Sequence, residues 1–418
     1  MQNHFEREPV RHHVLLFLCT IAVMFFFVFN PQGLSFGYGS GNGKYADRVD
    51  SFSEYIVRNT IKRNILNEQD SSFTPIVTKG YATEEYGYTP DGYTRYVSNL
   101  AIQTVPATIL ARILRLDNEE KLDRFFSILR LANALLLSIF IVEMFLFYCK
   151  TQNNRLEFLI PLLVGCSSGL IFFSQNLYFA SCLIVLPAFY IARKLCHHQN
   201  FNKYLVLLFG IAYFLRGFEF STVFALLTAF SAALFTSGSM TRKMKAALLA
   251  FCLICLAFAA SLILHVILVS VDSGQSLGDT ARNMVNNIQH RTQSTAGVPF
   301  PFGAQFVKVM NERWAHPAFS ITENGFSLSQ FGIMVIMLLG AISRTSRITD
   351  NEKIIYLYGF LGYASWYVFA YQHIMWHAMY DWYIFAMTMG LSFGLLFIFY
   401  ASLSADYFKA LFHKCKND

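Results

Sequence analysis

Four stretches of this chain set carboxylates, cations and aromatic rings at spacings that could do chemistry. In "GKYADRVDSFSEYIVRNTIKRNI", Asp47, Asp50 and Glu54 stand three and four residues apart. On a helix they would share one face, either as a working group or as the solvated acidic side of a surface helix. Tyr55, Ile56, Ile61 and Ile65 on the same stretch predict an amphipathic helix at the membrane surface. In "FLRGFEFST", Arg216 and Glu219 lie between two apolar runs with no polar loop around them. At i and i+3 they could simply pair, but ionisable groups near a membrane also mark function.

The other two stretches mix rings with polar groups. In "QHIMWHAMYDWY", His373 and His377 are four apart and Asp381 follows four later, so one helical face could present all three. A metal is conceivable there, though a clear fourth ligand is missing. Phosphate or substrate binding, or plain interfacial hydrogen bonding, are the other uses. In "YGYTPDGYTRYVSNLAIQTVPATILARIL", Tyr86, Tyr88, Tyr93 and Tyr96 surround Asp91 and Arg95. Rings beside polar groups suit a sugar, whose C–H face stacks and whose hydroxyls hydrogen-bond. They equally suit an interfacial aromatic belt. "TPDG" reads as a turn, and 100–114 as a second interfacial helix.

The elements that must hold these residues are membrane helices. The 418 residues are 55% hydrophobic and only 14% charged, with mean hydropathy +0.40, which excludes a soluble globule. A crossing takes roughly 20 apolar residues. About ten runs qualify: 13–29, 128–149, 158–173, 177–195, 204–215, 220–235, 246–271, 328–342, 354–370 and 383–403. Every second connection is basic, which places ten spans with both termini in the cytoplasm. The first run reads as an uncleaved anchor: it is long, and "NPQGLSFGYG" lacks an Ala-x-Ala-like cleavage site.

On this topology residues 1–418 form a single transmembrane domain with two long periplasmic segments, 30–127 and 272–327. The second is basic through Arg282, His290, Arg291, Lys308, Arg313 and His316, and is expected to close over the site. Neither segment holds any of the eight cysteines, so no disulfide framework is available there. Cys252 and Cys255 lie inside an apolar run and are read as packing residues.

The arrangement resembles the GT-C class of integral membrane glycosyltransferases. One amino-terminal span is followed at once by a long outer loop with acidic residues, then by paired spans with short outer turns. Within that class it is most similar to the bacterial and phage-encoded O-antigen glucosyltransferases of serotype conversion. "DRVDSFSEY", "RGFEF" and "HIMWHAMY" carry the resemblance; the Asp-Glu or Asp-Asp pair of the better-defined members is not seen.

The resemblance implies an all-α polytopic membrane protein with about ten transmembrane helices and interfacial helices in the first periplasmic loop. It implies a hexosyltransferase in the bacterial inner membrane whose active site faces the periplasm. The sugar, glucose in the most similar members, would pass from undecaprenyl phosphate or another polyprenyl phosphate to a glycan acceptor such as the O-antigen of lipopolysaccharide. Asp47 or Asp50 would be the general base, with Glu54 or Glu219 next. Tyr93, Arg95, Arg216, Glu219, His373, His377 and Tyr380 would bind substrate. The leaving group is already a phosphate, so cations rather than a general acid are needed. No cofactor is expected, a divalent metal stays open, and no nucleic acid is a partner.

Two other readings fit parts of the sequence. An O-antigen polymerase or ligase also has many spans and basic outer loops, but its largest loop comes late, and here it comes first. A membrane transporter would place charges at midspan on broken helices. Here nearly all charges lie at span ends, Glu143 being the main exception, and no repeat is visible.

Overall fold

A computed structural model of the chain describes residues 7–31, 33, 51–66, 74–78, 93–292, 304–322, 325–344, 348–370 and 378–417. The chain opens with α1 (Arg7–Phe29) and α2 (Ser51–Leu66). Two antiparallel strands follow, β1 (Ile76–Thr78) and β2 (Tyr93–Arg95), and then α3 (Thr104–Ile113). Next comes α4 (Glu119–Thr151), 33 residues long. At 1.5 Å per residue that is about 50 Å, so it can cross a hydrocarbon core of roughly 30 Å and project beyond it. Asn118 caps its start by accepting from Lys121 N–H, and Glu119 and Glu120 complement the helix dipole in its first turn.

The run 158–173 is not one helix. It forms α5 (Ile160–Gly165) and α6 (Ser168–Ser174), with an irregular link at 166–167. Then come α7 (Ser181–Cys196), α8 (Lys203–Arg216), α9 (Ser221–Phe235) and the 34-residue α10 (Met240–Ser273). The second long segment folds as α11 (Leu277–Thr292), α12 (Ala304–Trp314) and the antiparallel strands β3 (Pro317–Ser320) and β4 (Ser327–Ser329). The chain ends with α13 (Gln330–Ser343), α14 (Asp350–Phe369), α15 (Ala378–Phe385), a π-helical turn at Ala386–Gly390 and α16 (Leu391–Asn417).

Among the described residues four stretches are long and apolar enough to cross a membrane: Val10–Phe29, Glu119–Thr151, Met240–Ser273 and Tyr380–Ala405. The other apolar runs are helical too, in pieces of 6 to 20 residues. α10 displays the membrane signature most openly. Leu248, Leu256, Ile263 and Val271 recur every seven or eight residues and are 56–76% exposed, while Ala250, Ile254, Ala257 and Ser261 are buried. An outward apolar stripe of this kind belongs in lipid. Inside, α9 is enclosed by α7, α10 and α14. Its small residues allow the close approach, and Ser231 Oγ donates to Ala188 O at 2.6 Å.

Four features depart from the expectations. Two small β-ladders interrupt the all-α reading; their three- and four-residue strands are too short to carry a sequence period. α2 is not a half-exposed surface helix, because Asn59, Thr60, Lys62, Arg63 and Asn64 are buried as well as Ile56 and Ile61. Local partners permit this: Ile76 N donates to Thr60 Oγ1, Arg63 bonds Asn64 Oδ1 and Thr74 O, and Lys62 pairs with Glu119. Cys252 and Cys255 face outward from α10 rather than into a packed interior. Lastly, the link between α5 and α6 is paired by β3. Ser167 bridges to Phe319, and Ser320 N–H donates to Cys166 O at 3.0 Å. A helix break leaves backbone groups without intrahelical partners, and the strand supplies them.

Candidate functional site

The buried charges collect at the end of the bundle where α1 and α8 finish and α9 begins. Glu54, in the first turn of α2, reaches the turn between α6 and α7. Arg130 Nε donates to Glu54 Oε1 at 2.9 Å, its Nη2 lies 2.8 Å from the same oxygen, and Leu177 N–H donates to Oε2 at 2.8 Å. Both carboxylate oxygens are therefore engaged. Burial pushes the Glu54 carboxyl above its ordinary value, and Arg130 and the Leu177 N–H pull it part of the way back. The same turn is held by Asn133, which donates to Ser174 O at 2.7 Å and accepts from Cys182 N–H at 3.2 Å. Gln175 adds a bond to Phe27 O at 2.8 Å.

Arg216 and Glu219 follow at the end of α8, both fully enclosed. Arg216 Nη2 stands 3.9 Å from Glu219 Oε2, too far for a direct hydrogen bond. Its Nη1 donates to Tyr178 O at 3.3 Å, and its guanidinium lies over the Tyr213 ring at 4.6 Å. Glu219 Oε1 accepts from Tyr178 Oη at 3.0 Å, and Tyr178 Oη in turn accepts from Asn99 Nδ2. Gly217 leaves room for the Glu219 carboxylate, since a Cβ there would come within 2.2 Å of it and the carboxylate would have to shift. Arg216 Nε has no acceptor among the described residues.

Beyond a layer of rings lies a second cluster. Tyr380 packs against Phe179 and Phe220, both at 5.3 Å, and Phe220 also meets Trp366 at 5.4 Å. Asp381, next in the chain, is completely buried. Its Oδ1 accepts from Tyr363 Oη at 2.9 Å and from Tyr367 Oη. Tyr363 and Tyr367 sit one turn apart on α14, and Gln330 Oε1 lies 3.3 Å from the Tyr363 hydroxyl. Asp381 Oδ2 has no hydrogen-bond partner among the described residues. Arg313, at the end of α12, is 3% exposed, and its Nε and Nη1 likewise have no acceptor among them.

The Arg313 charge acts on both Asp381 and His316. The His316 ring stands edge-on to Trp382 at 4.9 Å. Burial pushes that ring below its ordinary value; Asp381 pulls it up and Arg313 pushes it down again. A buried cation and a buried carboxylate with open hydrogen-bonding positions are costly on their own. Together they can accept a hydroxyl at Asp381 and donate to an anion at Arg313, the two groups a sugar phosphate presents.

Of the residues expected from sequence, Asp47, Asp50, His373 and His377 lie outside the described residues. Arg216 and Glu219 are brought together. Glu54 is joined to Arg130 instead. Tyr93 contributes backbone to β2. Arg95 bonds the carbonyl oxygen of Asp272 and lies 3.5 Å from its carboxylate, so it ties the first long segment to the second. Tyr380 belongs to the ring layer. Sequence reasoning missed Arg130, Asn99, Tyr178, Gln330, Tyr363 and Tyr367, and it gave Arg313 no role beyond charge. Tyr363 and Tyr367 had a signal, two hydroxyls at i and i+4 in an apolar run; Arg313 had none. Among the described residues no group of three His, Cys, Asp or Glu side chains is placed to hold a metal ion.

No protein family matches the chain, and no characterised protein matches it by sequence. Two solved structures are similar in backbone. One is the apo oligosaccharyltransferase of Archaeoglobus fulgidus, at 13% identity and a TM-score of 0.46 over 97% of this chain. The other is the oligosaccharyltransferase AglB of Archaeoglobus fulgidus in complex with an inhibitory peptide and a dolichol-phosphate. It matches at 14% identity and a TM-score of 0.41 over 99% of this chain. The chain spans about half the length of both, 52% in each case. At these scores and identities neither likeness decides the fold or the activity of this chain.

Proposed function

We propose that the chain is a membrane glycosyltransferase that moves a sugar from a polyprenyl-phosphate donor to a glycan acceptor. The observation that carries this reading is the Arg313–Asp381 cluster. It holds a cation and a carboxylate, both buried and both with open hydrogen-bonding positions, at the end of a lipid-embedded bundle. Arg313 would hold the donor phosphate and stabilise the charge left on it when the glycosidic bond breaks. Asp381, fixed by Tyr363 and Tyr367, would orient a sugar hydroxyl. The acceptor hydroxyl needs a base that can move its proton, and Asp47 or Asp50 fills that role, since both oxygens of Glu54 are engaged. Arg216, His373 and His377 complete the cationic set. In the finer reading the sugar is glucose, the carrier undecaprenyl phosphate, the acceptor O-antigen, and the site opens to the periplasm.

The test is transfer in vitro by the purified full-length protein from polyprenyl-phosphate-glucose to lipopolysaccharide. Arg313→Gln should lower transfer by roughly 10²–10³-fold; it also takes the nearby cation from the buried Asp381 and should lower the unfolding temperature, whereas Arg313→Lys keeps the charge without the planar fork and should lower transfer with a smaller loss of stability. Absence of transfer by the unmodified protein from any polyprenyl-phosphate sugar would overturn the reading. Full activity of Arg313→Gln would move the phosphate to Arg216.

A further inference from the structure

The opposite end of the bundle carries a second built feature. Where α7 turns into α8 and α9 into α10 there is a cavity of about 610 Å³. His198, Lys203, Arg242 and Lys245 line it from both turns, together with Phe235 and Leu249, and no Asp or Glu contributes to the wall. Basic residues at one membrane face are ordinary; the arrangement here is not. At this same end Arg11 is paired with Glu157, Arg344 with Glu352 and Lys353 with Asp350. Lys203, Arg242 and Lys245 have no ion pair among the described residues, although three cations share one hollow.

The surroundings define what would fit. The volume far exceeds that of a phosphate ion and suits a phosphate with its glycerol. Below the cavity the outward surfaces of α8 and α10 are apolar: Leu205, Leu208, Leu248 and Leu256 are 37–63% exposed. The two helices pack closely, since a Cβ on Gly210 would lie 2.6 Å from that of Ala257. Both helices start at the cationic hollow, through Lys203 on α8 and Arg242 and Lys245 on α10, so their exposed leucines follow directly from it. α10 also begins beside the cavity, and its N-cap Ser239 makes no side-chain cap bond, so the helix dipole adds to the positive field.

We propose that this cavity binds the headgroup of an anionic phospholipid, with the acyl chains lying along α8 and α10. A headgroup phosphate would offer acceptors to the three cations, and the diacyl tail would cover the leucines. The site is independent of the Arg313–Asp381 cluster, which lies at the other end of the 14-residue α8.

The experiment measures unfolding temperature and retained lipid, the latter by native mass spectrometry, on the full-length protein in neutral detergent. Phosphatidylglycerol should raise the unfolding temperature and be retained; phosphatidylcholine and inorganic phosphate at the same concentration should do neither. Lys203→Gln/Arg242→Gln/Lys245→Gln should weaken phosphatidylglycerol binding by roughly fivefold for each charge removed. Arg11→Gln/Lys353→Gln removes two paired charges from the same end and should leave binding within about twofold. Ala246→Phe fills the cavity with the charges intact and should also abolish retention, which keeps the test decisive if the triple variant does not fold. Equal protection by phosphatidylcholine, equal protection by inorganic phosphate, or equal losses in the two charge variants would each overturn the proposal.

Discussion

Glu54 and Asp381 are both buried carboxylates at the same end of the molecule, and each has an arginine near it. Their surroundings differ in one respect. Glu54 has Arg130 on one oxygen and the Leu177 N–H on the other, so nothing is left for a ligand. Among the described residues Asp381 has two tyrosine hydroxyls on one oxygen and no direct hydrogen bond on the other, with the Gln330 side chain beside the carboxylate, while Arg313 keeps two nitrogens without acceptors. Burial alone therefore does not mark a site. The first arrangement is a rivet between α2, α4 and the α6–α7 turn; the second is a socket.

Three experiments press on that contrast. The largest effect is expected at Glu54. Glu54→Ala takes the carboxylate away from Arg130 and leaves the Leu177 N–H without its acceptor, and should lower stability by about 3–5 kcal/mol, read by thermal unfolding in detergent. Glu54→Gln keeps the shape and some of the bonds. If it abolished transfer while leaving the unfolding temperature intact, Glu54 would be working chemically and the contrast would collapse.

A middle effect is expected at Gly169. A Cβ there would come within 2.1 Å of Trp382 O, next to Asp381. That atom is backbone and cannot turn aside, so Gly169→Ala should cost about 1–3 kcal/mol and should also reduce transfer by displacing the start of α15. A variant equally stable and equally active would show that the socket tolerates movement.

The smallest effect is the pH response of His316, faced by Asp381, Arg313 and Glu312. Its folded pKa is depressed, so the folded chain binds fewer protons than the unfolded chain on the acid side. Stability should be fully present above about pH 6.5 and decline as pH falls from there through the depressed value. His316→Gln should flatten that decline in urea or thermal melts taken across the range.

Much of the helical layout could be read from hydropathy, because a membrane imposes a length and a polarity on each crossing. The apolar runs were found, and so was the meeting of Arg216 and Glu219, which are neighbours in sequence. What stayed hidden depends on contacts between distant segments. Arg130 lies inside a long apolar helix, and nothing local says that it will meet Glu54. Arg313 looks like one more basic residue of a loop until β3 and β4 turn the chain, set α12 against α13 and bring the Arg313 charge to bear on Asp381. The break at 166–167 was invisible because Gly165, Cys166 and Ser167 are all tolerated in an apolar helix.

That break also bears on how the protein is made. A chain enters the membrane from its amino terminus, and early segments normally settle before later ones exist. Here the carbonyl of Cys166 waits for Ser320, and Ser167 for Phe319, which are synthesised only after seven further helices have been laid down. Until then the gap between α5 and α6 must be served by water or by a temporary neighbour, since an unpaired backbone group in lipid costs several kcal/mol. The third segment to be born is thus among the last to mature, and its completion reports that the strand next to Arg313 and His316 has arrived.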